Sequence, residues 1–425
     1  MTLPVTPPTE RNRGVSTCSI VPIASGLHGA DVVASLVASL QPTISSVGGT
    51  LVESVEEACT SRPMAVLVVT GGTERAVLAS WAARQQFLPG EPLLLLTHPE
   101  HNSLPAALET LARLERDGAN GRIVMLGTDS SEAEFAHAVR DLNVWHRLRR
   151  ARVGLLGAPS DWLVASVPDR DAVHRRWGLT IVDADLDDAL DRFDENIDAP
   201  VAVPVHIGAR RREGEPHPAD VETAGRFEPV LRDVVMDQHL DAIAVRCFDL
   251  LGRAYTSGCV ALSALNDAGV VAGCEGDVAS TVGMLWVRAM TGQAAWMANP
   301  AVADRTTGRI ELAHCTVPLS MVDSYELSTH FESGIGVGIA GSLPPGPVTL
   351  VRLGGLSLEH LWVHDGEALV TEQREGRCRT QLDVVVDCEA VGELLDHPLG
   401  NHLVMIPGHH AAELRRWFDT MLPGA

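Results

Sequence analysis

The sequence predicts an α/β chain in which two parallel-sheet units are followed by a short-stranded antiparallel barrel or sandwich. Three observations carry this. From Cys18 to about residue 300, apolar runs of strand length alternate with helical patterns, and such alternation calls for parallel sheets covered on both faces. Beyond residue 300 the segments become short, β-rich and separated by Gly/Pro turns such as Leu343-Pro344-Pro345-Gly346, which suits antiparallel pairing. The chain has 425 residues, 45% of them hydrophobic and 21% charged, enough for two or three separate cores. The expected organisation is a disordered tail over 1–15, α/β units over 16–150 and 151–300, and a β domain over 301–425.

In chain order, Ser19 to Ala24 reads as an apolar strand and Ala30 to Leu40 as a helix. Met64 to Thr70 is a second strand ending in Thr70-Gly71-Gly72-Thr73, whose two glycines are too few for a dinucleotide fingerprint. Leu93 to Thr97 is a third, running through His98-Pro99-Glu100-His101-Asn102-Ser103 into a helix over Leu104 to Leu114. Ile123 to Leu126 is a fourth. The next unit opens after the basic stretch Trp145 to Arg152, with strands at Val153 to Leu156 and Leu179 to Val182. Arg210 to Arg226 reads as an exposed turn or early helix, Pro229 to Leu240 as a helix and Ala242 to Cys247 as a strand. In the last third the expected strands are Arg309 to Leu312, Val348 to Leu353, His360 to His364, Glu367 to Val370 and Thr380 to Val386. Ala411 to Met421 is a closing helix.

The stretch Val270 to Asn299 is the most informative. An apolar run continuing from Ala261 to Leu265 through Val270 to Ala272 is broken by Gly273. The acids Glu275 and Asp277 follow, and Val278 to Met290 takes up helical periodicity until the Thr291-Gly292 stop. Ala294 to Met297 resumes as a short strand. In an open parallel sheet, ligands bind at the carboxyl ends of the strands, which places Glu275 and Asn299 at the functional rim. The plain alternative for both acids is complementing the helix dipole.

Composition excludes several chemistries. The net charge of −22 disfavours a nucleic-acid partner. No apolar run approaches a membrane span and the N-terminus has no signal-peptide core, so a cytoplasmic location is expected. All 33 basic residues are Arg. Without lysine, Schiff-base aldolase, pyridoxal-phosphate and lysine-dependent phosphate-loop chemistry is excluded. Proton transfer then falls to carboxylates, His, Cys or a metal-bound water. Eight Cys without any CxxC read as buried thiols.

CEGD, an apolar helix, a Thr-Gly stop and a short WMAN strand together resemble the L-fucose isomerase and L-arabinose isomerase superfamily. The resemblance implies two Rossmann-like domains followed by a β-barrel domain, a divalent metal, usually Mn²⁺, and a homo-oligomer, trimeric or hexameric. It makes Glu275 a metal ligand and general base. His402, in PLGNHLVMIPGHH, becomes a histidine ligand, and His314, in ELAHCTVPLS, a further ligand. The family's second carboxylate falls at Asn299, or at Ala298 if the gap is counted as in the arabinose enzymes. An Asn cannot accept a proton, although its amide oxygen coordinates a hard cation weakly. Asp277 reads as a helix-start acid or as the orienting partner of a metal ligand.

His98 and Asn102 are substrate-contact candidates by resemblance to an N-domain turn, and Arg246 by its place at a strand end, where it would hold a hydroxyl or an anion. His330 and Glu332 form a weaker cluster. Three functions stay open: aldose–ketose isomerisation through an enediol, epimerisation or elimination on the same metal site, and non-catalytic sugar binding.

Overall fold

A computed structural model describes residues 18–58, 60–195, 211 and 215–423. The expected tail over 1–15 and Cys59 lie outside them. The chain forms two compact units, one of 12–149 with 416–425 and the other containing 150–415. Among the described residues no helix is long and apolar enough to cross a membrane.

The first unit contains β1 (Cys18–Ile23), α1 (Ala30–Ser46), β2 (Gly49–Leu51), β3 (Met64–Val68), α2 (Glu74–Phe87), β4 (Leu93–Thr97), α3 (Ser103–Arg116), β5 (Gly121–Met125) and α4 (Ser131–Leu148). Its five strands are parallel in the order β2-β1-β3-β4-β5. β3 and β4 are buried along their whole length, which is why MAVLV and LLLLT read as unbroken apolar runs. The short β2 carries only Gly49, Thr50 and Leu51, too little pattern to be read beforehand.

One buried ion cluster holds this unit's edge. Arg84 Nε donates to Glu91 Oε2 at 2.6 Å, and His146 Nε2 lies 2.7 Å from Glu91 Oε1. Burial alone would raise the Glu91 pKa, but His146 and Arg84 outweigh it and hold it below the ordinary value of 4.5. A carboxylate depressed in the folded state binds protons more readily when unfolded. Its contribution is therefore complete above pH 4.5 and fades as pH falls below that value through the folded pKa. Glu91→Gln is expected to cost about 2 kcal/mol at neutral pH. In denaturant melts, the gap between variant and wild type should close as pH falls below 4.5. A gap independent of pH would sink this account.

The second unit begins with β6 (Arg152–Leu156), α5 (Arg170–Trp177), β7 (Thr180–Ala184), α6 (Leu186–Glu195), α7 (Pro218–Asp237), β8 (Ala242–Val245), α8 (Phe248–Arg253), α9 (Cys259–Asp267), β9 (Val271–Gly273) and α10 (Val278–Thr291). Its parallel sheet has the order β7-β6-β8-β9. There follow β10 (Trp296–Asp304), β11 (Arg309–His314), β12 (Ser324–Ser328), β13 (Gly338–Ser342), β14 (Gly346–Gly354), β15 (His360–Leu369), β16 (Thr380–Val386), α11 (Cys388–Asp396) and β17 (Leu403–Pro407). Six of these strands close an antiparallel barrel in the order β10-β11-β16-β15-β14-β17, while β12 and β13 form a separate hairpin. The alternative of a sandwich is thereby settled in favour of a barrel. The final helix, α12 (Ala411–Met421), crosses the boundary between the units.

Alternation fills the barrel. Trp296 and Ala298, Ile310 and Leu312, Leu382 and Val384, and Leu403 and Met405 all point into one core. α10 is apolar on every side and buried from Val278 to Val287. It lies against β8 and β9 on one side and against β14 and β17 of the barrel on the other.

Three readings change. Ala261 to Leu265 is not the beginning of the strand at Val271; it lies within α9, a buried helix whose short apolar run carries no periodicity to distinguish it. The apolar segment after Gly292 begins β10 of the barrel and does not join the parallel sheet. The α7 helix starts at Pro218 under a His217 capping box and passes through Pro229, where the sequence had placed its start.

Candidate functional site

The turn Cys274-Glu275-Gly276-Asp277 joins β9 to α10 at the carboxyl end of the parallel sheet. Glu275 has φ 60°, a left-handed conformation uncommon for a side-chain-bearing residue, and Gly276 follows at φ 68°. The turn is held by its neighbours: Ser160 N donates to Glu275 O at 2.9 Å, and Gly276 N to Val245 O at 2.9 Å. A Cβ on Gly276 would stand 2.5 Å from Ala158 O and 2.9 Å from Pro159 Cα, both rigid backbone. Gly276→Ala is accordingly expected to push the Glu275 turn off the Gly157–Trp162 loop and to cost about 1–3 kcal/mol. An unchanged melting curve together with unchanged metal binding would contradict this.

Asp277 caps α10, accepting from Ser280 N at 2.8 Å. Its Oδ2 also receives Ser280 Oγ at 2.8 Å, His402 Nδ1 at 2.8 Å and Arg352 Nη1 at 3.2 Å. Burial would raise its pKa, yet Arg352 and His402 hold it well below the usual carboxylate range. Asp277 is thus the helix-start acid expected from its position, and the same carboxylate also contacts His402 Nδ1.

His402 immediately precedes β17 and is fully buried. With Nδ1 engaged by Asp277, its Nε2 has no hydrogen-bond partner among the described residues and stands 3.4 Å from Glu275 Oε1. His314, at the end of β11, places Nδ1 2.9 Å from Thr316 Oγ1 and Nε2 3.8 Å from the same Glu275 oxygen. One donor atom from each of Glu275, His314 and His402 falls within 4.8 Å of the others. The second carboxylate oxygen of Glu275 accepts from Trp162 Nε1 at 2.6 Å.

The carboxylate and the two imidazoles of the site are electrostatically coupled. Burial opposes charge on Glu275, but His314 and His402 hold it ionised, well below the usual range. Burial likewise opposes a charged His402, but Asp277 and Glu275 raise its pKa to about 9. His314 is pushed down, chiefly by burial. An orphaned, buried imidazole nitrogen aimed at an ionised carboxylate is the arrangement a divalent metal would satisfy, with each ligand histidine's other nitrogen already tied.

The remaining candidates are placed as follows. Asn299 is half-buried on β10, paired with Ala313 beside His314. Strand alternation puts Asn299 on the same barrel face as Ala313, opposite to the face of Ala298. The Arg246 guanidinium is engaged by Asp249 at 2.9 Å, Asp161 at 3.2 Å and Pro159 O, bracing the loop that supports Glu275. His98 and Asn102 belong to the first unit. His98 Nε2 lies 2.8 Å from Val69 O, and its Nδ1 accepts from Glu100 N at 3.4 Å. Asn102 adopts φ 55° ahead of α3. His330 is buried, its ring edge-on to Phe248, while Phe248 in turn meets Trp162.

Trp162, Thr316 and Arg352 escaped the sequence reading. Trp162 is 113 residues from Glu275 and carries no local motif. Arg352 lies inside an ordinary apolar strand, where a lone interior charge is the one available signal.

No family model matches the chain. Three proteins do, each a sulfoquinovose isomerase. That of Alkalicoccus urumqiensis is 21% identical over 294 residues, covering 65% of this chain and 64% of its own, a little under two thirds of its length. Those of Priestia aryabhattai and Priestia megaterium are each 22% identical over 362 residues, covering 80% of this chain and 78% of theirs. The chain therefore has distant homologues among sugar isomerases.

Proposed function

We propose that the protein is a metal-dependent isomerase that interconverts an aldose and a ketose, on a sugar or modified sugar, through an enediol(ate). The observation that carries this reading is the buried Nε2 of His402, without a hydrogen-bond partner among the described residues, facing Glu275 beside His314. Glu275, His314 and His402 would hold a hard divalent cation such as Mn²⁺, with the Asn299 amide oxygen as a weaker neighbour. When bound, that ion polarises the sugar's carbonyl and hydroxyl oxygens.

The chain's own residues do the rest. Glu275 is ionised and accepts the proton from the carbon beside the carbonyl, then returns it to the former carbonyl carbon, while the neighbouring hydroxyl's proton passes to the former carbonyl oxygen, so no net proton is consumed. Trp162 fixes the carboxylate's other oxygen and so its orientation. Asp277 keeps His402 turned with Nε2 toward the site. The absence of lysine leaves no Schiff-base route. Asn299 cannot act as a second base, and this favours, as the runner-up, epimerisation or elimination from the same enediolate.

The test uses Mn²⁺-loaded protein in D₂O with sulfoquinovose, the sugar named in its relatives' activity, and a panel of aldoses and ketoses, followed by NMR. Deuterium entering at the carbon beside the carbonyl, together with the partner ketose or aldose, supports isomerisation. Exchange with a C2 epimer or a cleaved product supports the runner-up. Neither exchange nor any new product with any sugar overturns both enzymatic readings and leaves sugar binding.

A further inference from the structure

We infer that a second, soft-metal site lies beside the first: Cys259, Cys315 and His330 are placed to bind a thiophilic divalent cation of the Zn²⁺ class. The three residues come from separate elements. Cys259 opens α9, Cys315 follows β11 directly after His314, and His330 lies just past β12. All three are buried, and one ligand atom from each falls within 4.8 Å of the others.

The two sulfurs are 2.9 Å apart. A tetrahedral site with Zn–S bonds of about 2.3 Å separates its sulfurs by about 3.8 Å, so loading requires the pair to open by about 1 Å. His330 Nδ1 is 3.0 Å from Ser333 Oγ, which leaves Nε2 as the ligating nitrogen. This is the same division of labour seen at His314 and His402. Two thiols and one imidazole make a Cys₂His set, and water or a further ligand would fill the fourth position of a tetrahedral site.

Buried thiols packed as small apolar groups are the plain alternative. Packing alone gives no reason for an imidazole with one nitrogen tied to meet two thiols from distant segments. Ligand softness separates the two centres. Glu275, His314 and His402 offer oxygen and nitrogen, whereas this site offers sulfur, so a thiophilic cation partitions to it and Mn²⁺ does not. A cation here would pin α9 and the segment after β12 to the strand end that carries His314.

The test is a Co²⁺ titration of the full chain, stripped by chelator under reducing conditions and followed by the thiolate-to-cobalt charge-transfer absorption. The first centre has no sulfur among its three groups and cannot produce that band. The band should saturate at one equivalent, survive in Glu275→Gln and in Cys247→Ser, and disappear in Cys259→Ser. In His330→Asn the midpoint should rise at least tenfold. No band in the wild type overturns the inference, as does a band that is lost in Cys247→Ser but kept in Cys259→Ser. Should Cys259→Ser fail to fold by circular dichroism, Cys315→Ser and His330→Asn decide: an unchanged titration in both overturns it.

Discussion

Glu275→Gln is expected to abolish stoichiometric Mn²⁺ binding and to lower solvent-deuterium exchange into the sugar by about 10²–10⁴-fold. The amide keeps the shape and can still accept from Trp162 Nε1, so the fold should survive. What it lacks is the negative charge that His314 and His402 face and the capacity to take a proton. Elemental analysis after dialysis gives the metal content, and NMR gives the exchange rate. Two outcomes would sink the assignment: full metal retention with full exchange, or a wild type that holds no metal at this site. Metal retained with exchange lost would keep Glu275 as the base and leave cation binding to the two histidines.

Asp277→Asn should strongly destabilise the second unit. It leaves the Arg352 guanidinium buried without its carboxylate, which typically costs about 3–5 kcal/mol. It also removes the charge that orients His402, and loss of such an orienting partner weakens metal affinity by about 10–100-fold. The two losses separate in a double variant. Arg352→Met in the Asp277→Asn background removes the stranded charge and should recover much of the stability, while metal affinity stays low. Recovery of both, or of neither, would show that Asp277 does not act on His402 as described. Chemical denaturation and Mn²⁺ titration of the same samples make the comparison.

Parts of this architecture were legible because the signal was local. Glu275 and Asp277 sit two residues apart at a strand-to-helix turn, and the apolar periodicity of Val278 to Met290 marks α10 almost to its ends. His314 and His402 were found through motif context, and the structure brings both to Glu275. Other parts were not legible, for physical reasons. A four-residue apolar run cannot say which sheet it will join, so the strand carrying Asn299 was placed in the parallel sheet, whereas it opens the barrel. Gly366 broke β15 into two apparent strands because a Cβ there would meet Val385 O at 2.7 Å, a crowding invisible in sequence. Trp162 and Arg352 reach Glu275 and Asp277 from 113 and 75 residues away, contacts that nothing in either neighbourhood announces.

The return of residues 416–425 to the first unit has a consequence for how the chain is made. Trp417 is fully buried there and donates Nε1 to Asp141 O at 2.9 Å, while Arg416 Nη2 reaches the Asp141 carboxylate at 3.2 Å and Asn120 Nδ2 donates to Leu422 O. Synthesis from the N-terminus normally lets an early domain fold as it leaves the ribosome. Here the first unit to emerge is the last to be completed. Its Asp141 carbonyl must wait, through translation of the whole second unit, for Trp417 to arrive. During that interval a nascent-chain chaperone or a protease meets an uncovered α4, and a short C-terminal deletion acts as a lesion in the N-terminal half.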